Sequence, residues 1–192
     1  MDKVIEHIYK QDLTGSEVSV TTNGKCPIHL YKDLLNFNSI DEILGVHNKC
    51  IVLFPVSSST NGHWCCMIYH SDINTLEWFD PYGLSWNEEL KYSEVTKWTK
   101  YNIIGQLMKK ATDQGIKTMF NPYRFQKMKD GINTCGKHSS IRARFSYLKI
   151  DEYAKLMLHQ KMDPDYLVTI LTFITLRDNK VEEDIIRNVL KL

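Results

Sequence analysis

Four short stretches of this chain hold the residue types that acyl-transfer chemistry needs. Gly62-His63-Trp64 offers an imidazole, Trp78-Phe79-Asp80-Pro81 a carboxylate, Gln126 a side-chain amide, and Thr134-Cys135-Gly136 a thiol. In the order His, Asp, Gln, Cys they supply a base, an acid to orient it, a hydrogen-bond donor and a nucleophile. Those are the parts of a cysteine protease. Cys135 stands where a helix is expected to begin, and free amides and the macrodipole favour negative charge there. The thiolate is the nucleophilic form of cysteine. Attack on a carbonyl creates an oxyanion, for which the backbone N–H of Cys135 and the amide of Gln126 are the donors in reach of this reading. Gly136, lacking a Cβ, suits a crowded helix start and lets a substrate backbone come close.

These groups are far apart in sequence, so folding must gather them. Residues 50–56 form a near-continuous apolar run, the pattern of a central strand. Residues 63–69 and 76–80 read as two more strands. Ser71-Asp72-Ile73-Asn74 between them is a hairpin turn. A turn centred near Asp72 and Ile73 pairs residues whose numbers sum to the middle 140s. That register brings His63 close to Asp80, where the acid can hold one ring nitrogen and leave the other for the thiol.

Around the strands the periodicity predicts helices. One opens the chain, with Val4, Ile5 and Ile8 on a shared face. Residues 29–36 carry Leu30, Leu34 and Leu35, and Ser39 with Glu42 forms a capping-box pattern closed by Gly45. Residues 86–114 read as helical, with Tyr101, Ile104, Leu107 and Met108 at helical spacing. A strand over 116–125, interrupted at Asn121-Pro122, comes next. Helices are then expected over 135–147, 151–160, from Asp163-Pro164 to 176, and over 182–190. Strands in the middle and helices at both ends make an α+β protein. The expectation is one domain over residues 1–192, a central mixed β-sheet flanked by helices, with the nucleophile at a helix N-terminus.

The combined order of His-Trp, an aspartate one strand-turn-strand later, glutamine and Cys-Gly resembles the adenovirus-protease and SUMO-protease-like cysteine peptidases (clan CE). The Cys-Gly-x-His segment and the small size look most like their viral members, the capsid-maturation proteases of adenoviruses, virophages and polinton-type elements. The resemblance covers about residues 51–148, with the Met162-Asp163-Pro164-Asp165 helix start included. It implies a papain-like or adenain-like fold. It makes His63 the general base, Asp80 its orienting acid, Cys135 the nucleophile and Gln126 an oxyanion donor. Trp64 would wall a narrow groove for small residues, glycine above all, before the scissile bond. The segment from Lys127 to Thr134 is longer than is usual in the family, which leaves Asn133 as the substitute for Gln126. By the same resemblance the substrates are viral capsid or core precursors. The protein would act as a monomer in the host cell, in the cytoplasm or a viral factory, and be packaged in the virion. No cofactor is required by the residues, but DNA or a viral peptide would activate. Alternatives are a deconjugating protease for ubiquitin-like modifiers, a protein acetyltransferase and a catalytically silent binding module of the same fold.

The bulk properties agree with a globular enzyme. The 192 residues are 43% hydrophobic and 24% charged, and the net charge is +1. No run is long and apolar enough for a signal peptide or a membrane span. The five cysteines, an odd number at irregular spacing, read as free thiols of a reducing compartment. From Lys97 to Lys149 twelve Lys and Arg face two acids, an excess of +10. Such a run can form a nucleic-acid-binding face, with Lys127, Lys129 and Lys137 nearest the nucleophile, or scatter as solvated charge. Cys65 and Cys66 are adjacent on one strand and point to opposite faces as packing residues. His63, Cys65 and His70 do not complete a four-ligand set, so no metal is expected. His138 reads as a helix-surface residue. Asp72 and Glu77 are poorer acids than Asp80, the first in the turn and the second off the strand end. Trp78, Phe79 and Tyr82 read as core or wall.

Overall fold

The computed structural model describes residues 3–55, 62–88 and 102–178. Five strands form one sheet in the order β1-β2-β3-β4-β5. They are β1 (Ile28–Leu30), β2 (Lys49–Pro55), β3 (Gly62–His70), β4 (Thr75–Phe79) and β5 (Lys117–Phe120). The three central strands are antiparallel neighbours, while β1 on β2 and β5 on β4 run parallel, so the sheet is mixed. All five residues of β4 are buried and β3 is nearly so, because helices cover both faces. The β3–β4 hairpin pairs Cys66 with Phe79 and His70 with Thr75. That is the register the turn at residues 71–74 predicts.

One face packs on α1 (Lys3–Lys10), α2 (Gly15–Thr21), α5 (Cys135–Arg144), α6 (Ile150–Leu158) and α7 (Pro164–Arg177). Its core includes Val18, Ile51, Cys66, Phe79, Ile141, Tyr153 and Val168. The other face packs on a 3₁₀ segment (Tyr31–Asn36), α3 (Ile40–Leu44) and α4 (Ile103–Asp113), around Leu34, Ile43, Cys65, Trp78 and Ile104. Cys65 and Cys66 thus lie in different layers, as alternation along a strand requires. The architecture is α+β.

Two expectations change. Residues 29–36 are not one helix: β1 takes the first of them because it finds a parallel partner in β2, and a 3₁₀ segment takes the rest. Of the stretch 86–114, residues 86–88 form a turn and helix begins at Ile103, capped by Asn102; residues 89–101 lie outside the described residues. The helix expected over 182–190 also lies outside them.

The central helix α5 has the sequence CGKHSSIRAR, yet every one of its residues is buried. Burial of so polar a helix is sustainable because most of its polar side chains find partners. Lys137 Nζ donates to the Gln11 and Asn133 carbonyls, Ser139 Oγ to the Trp64 carbonyl, and Arg144 Nη1 to the Thr21 carbonyl. Arg142 forms a bidentate pair with Glu77 on β4, through Nε at 2.9 Å and Nη2 at 2.8 Å. The helix that carries Cys135 is therefore bonded directly to the sheet that carries His63 and Asp80.

Candidate active site

His63 is the second residue of β3 and Asp80 follows β4; the hairpin register carries Asp80 to Cys65, and His63 lies two residues along on the same face. His63 Nε2 donates to Asp80 Oδ1 at 2.5 Å. The carboxylate is fully buried and also accepts the backbone N–H groups of Tyr82 at 3.1 Å and Leu84 at 2.9 Å. Those bonds hold Asp80 in place and fix the imidazole tautomer. The Tyr82 ring stacks on His63, with centroids 4.8 Å apart and planes at 15°. Cys135 is the first residue of α5 and shares a hydrogen bond with the His63 side chain. With Nε2 engaged by Asp80, Nδ1 is the nitrogen left for the sulfur. Burial by itself would push the His63 imidazole down. The Asp80 charge and hydrogen bond, then Cys135, outweigh it and hold the ring well above its usual 6.5. An imidazolium beside a cysteine at a helix N-terminus is the arrangement that favours a thiolate nucleophile.

Gln126 is buried, on the segment between β5 and α5. The Pro81 carbonyl accepts the backbone N–H groups of Phe125 at 2.9 Å and Gln126 at 3.0 Å, which ties Gln126 to the turn after Asp80. Asn121 braces the same turn: its Nδ2 donates to the Asp80 carbonyl at 2.7 Å and to the Tyr123 carbonyl at 2.9 Å. Gly83, at φ +76°, lets the Tyr123 carbonyl approach; a Cβ there would lie 2.8 Å from that oxygen. Gln126 Nε2 donates to the Ile132 carbonyl at 3.1 Å, which uses one of its two amide hydrogens. The Asn133 amide is tied elsewhere, to the Lys10 carbonyl at 3.1 Å. Tyr82 and residues 128–133 line an open groove of about 690 Å³ next to His63.

Several sequence expectations are relocated. Gly136 is buried, and a Cβ on it would lie 2.9 Å from Trp64 Cδ1 and 3.2 Å from Leu13 Cβ. Its missing side chain makes room for Trp64 and Leu13. Trp64, 7% exposed, packs against Gly136. Lys137 cannot join a nucleic-acid face: it is fully buried, and burial draws its ammonium down to about 8. Lys127 pairs with Asp163 at the surface, and Lys129 is exposed. Elsewhere in the basic run Arg142 and Arg144 are buried, and Lys109 and Lys149 pair with Asp113 and Asp72. Lys97 and Lys100 lie outside the described residues. His138 is buried rather than on the helix surface.

Glu77 lies inside the sheet and serves structure. It accepts from Arg142 and, at 2.9 Å, from His70 Nε2. All five cysteines are buried, and none forms a disulfide. His63, Cys65 and Asp80 place their donor atoms within 4.8 Å of one another, the group among the described residues that comes nearest to a metal site. Zinc takes four ligands, and here Nε2 and Oδ1 are already bonded to each other.

Asp165 is the residue that sequence reasoning missed. It is fully buried and accepts from Lys127 N–H, Thr134 Oγ1 and His138 Nε2. The one signal was its place in Asp163-Pro164-Asp165, which reads as an ordinary helix start.

No family model matches the chain. It is 30% identical over 179 residues to "Uncharacterized protein V9" of Sputnik virophage, a match that covers 88% of this chain and 99% of that protein. Among solved structures it is similar to the ASFV pS273R protease, with a TM-score of 0.48 and 14% identity, over 85% of this chain and 67% of that one.

Proposed function

We propose that this chain, which belongs to the same family as the Sputnik virophage protein, is a cysteine endopeptidase. The observation that carries the reading is His63 bridging Asp80 and Cys135, with Cys135 at the start of α5. In the reaction the Cys135 sulfur attacks the scissile carbonyl. The oxyanion takes hydrogen bonds from the Cys135 N–H and the remaining Gln126 amide hydrogen. The His63 imidazolium gives its proton to the leaving amine, and a thioester joins Cys135 to the acyl fragment. Water, deprotonated by the now neutral His63, attacks the thioester and releases the acid and the thiol.

The motif resemblance supports cleavage after small residues such as glycine. It also supports capsid or core precursors as substrates, processed in the infected cell and the virion. A relative from a virophage is in keeping with a viral protein. DNA or a viral peptide as activator rests on the same resemblance. Among the described residues no helix is long and apolar enough to cross a membrane.

The test is cleavage of peptides that carry glycine before the scissile bond. The wild-type protein should cut them and Cys135→Ala should not, with an unchanged circular dichroism spectrum. Equal cleavage by both proteins would remove Cys135 from the mechanism.

A further inference from the structure

The segment from Lys127 to Thr134 joins the proposed oxyanion donor to the nucleophile. Residues 127–131 are exposed, and Gly131 takes a positive φ of +78°. A long exposed loop is a poor way to hold two catalytic groups in register, since closing it costs chain entropy and its middle packs on little. Both ends of this loop are nevertheless bonded to one buried side chain. Asp165 Oδ2 accepts the Lys127 N–H at 3.1 Å, one residue after Gln126. Asp165 Oδ1 accepts Thr134 Oγ1 at 2.5 Å, one residue before Cys135, and His138 Nε2 at 3.0 Å, one turn after it.

We propose that Asp165 is a positioning residue that clasps the two ends of the 127–134 loop and so sets the Gln126 amide against Cys135. The inference rests on the cysteine peptidase reading and assigns a role inside that site. Asp165 is itself well anchored. It lies in the first turn of α7, where Asp163 Oδ1 accepts its N–H at 3.0 Å, and its carbonyl accepts Thr169 Oγ1 at 2.7 Å. Burial would push the Asp165 carboxyl up, but the bonds from His138, Thr134 and the Lys127 N–H hold it below the usual range, so it stays ionised. Burial draws His138 down, so its ring is neutral at pH 7 and donates its Nε2 proton to Asp165. An ionised carboxylate accepting three donors is a stiff clasp, because bonds to a charged acceptor are the strong ones.

Two reactions of one thiol separate this role from a general contribution to folding. Iodoacetamide alkylates the sulfur by displacement at carbon; iodide leaves and no oxyanion forms. p-Nitrophenyl acetate acylates it through a tetrahedral oxyanion, which collapses to a thioester as p-nitrophenolate departs. Only the second reaction needs Gln126 in place. Asp165→Asn keeps the side-chain volume but turns one acceptor into a donor that faces donors. Thr134→Val removes one bond and is the milder variant, decisive if Asp165→Asn fails to fold. Both should lower the acylation rate, Asp165→Asn by ~10², the scale of an ångström-sized misplacement, while alkylation of Cys135 stays near wild type. Equal loss in both reactions, or no loss in acylation, would overturn the assignment. A wild-type protein with no His63-dependent alkylation would overturn the peptidase reading itself, so the two failures are distinguishable.

Discussion

Arg142→Met should cost the protein about 3–5 kcal/mol of folding free energy, the range for breaking a buried ion pair from one side. The loss can be read bond by bond. Arg142 donates from Nε and Nη2 to the two Glu77 oxygens, from Nη1 to the Phe145 carbonyl at 2.8 Å, and from Nη2 to the Leu148 carbonyl at 3.0 Å. Its guanidinium also lies 5.0 Å from the centroid of the Tyr153 ring. Methionine fills much of the same space but donates nothing. Two carbonyls lose a donor, and a carboxylate inside the sheet keeps His70 as its remaining partner. Burial alone pushes the Glu77 carboxyl up, and Arg142 is the main group that holds it below its usual 4.5. Because the folded value is lowered, this stabilisation is present above about pH 4.5 and is lost as pH falls through the folded value. Most of the penalty is the stranded charge, so adding Glu77→Gln to Arg142→Met should restore part of the stability. Urea unfolding of both single variants and the double variant measures this coupling. A loss under about 1 kcal/mol for Arg142→Met, the scale of an exposed pair, would refute the reasoning. So would a double variant whose loss equals the sum of the singles.

Gly136→Ala drives a methyl group to 2.9 Å from the Trp64 ring; it should lower stability by about 1–3 kcal/mol and slow Cys135 alkylation, and a wild-type melting temperature would contradict this. Gln126→Ala should lower acylation by ~10²–10³, while Asn133→Ala, whose amide is held by the Lys10 carbonyl, should leave it near wild type; the reverse result would move the oxyanion donor to Asn133. In an NMR titration of the ring protons, His63 should titrate above 6.5 and His138 below it, and the opposite order would refute both environments. The His63 contribution to stability is full below pH 6.5 and is lost as pH rises through its folded value. That of His138 is full above pH 6.5 and is lost as pH falls through its own.

Local signals carried the hairpin, and with it the meeting of His63 and Asp80, because a turn at residues 71–74 fixes which residues pair across it. The start of α5 at Cys135 and the Asp163 cap of α7 were legible for similar reasons. What could not be read depends on partners distant in the chain. The α5 sequence looks like a surface helix until Glu77, Gln11 and Thr21 arrive to bond Arg142, Lys137 and Arg144. Nothing in the local sequence shows that Trp64 and Leu13 fill the space over Gly136. Asp165 looks like a helix-start aspartate until the loop ends fold onto it. Periodicity reports which face of an element is apolar; it is silent on which buried polar groups will find each other.

The central claim is that His63 activates Cys135, and alkylation with iodoacetamide at mildly acidic pH tests it most directly. The other thiols offer little competition. Burial pushes Cys26 up to about 11 and raises Cys50 and Cys66 as well, while Cys65 is fully buried. Peptide mapping should find the label on Cys135 in the native protein and lose it in His63→Ala. Labelling of Cys135 no faster than an ordinary free thiol, or equally fast without His63, would contradict the account.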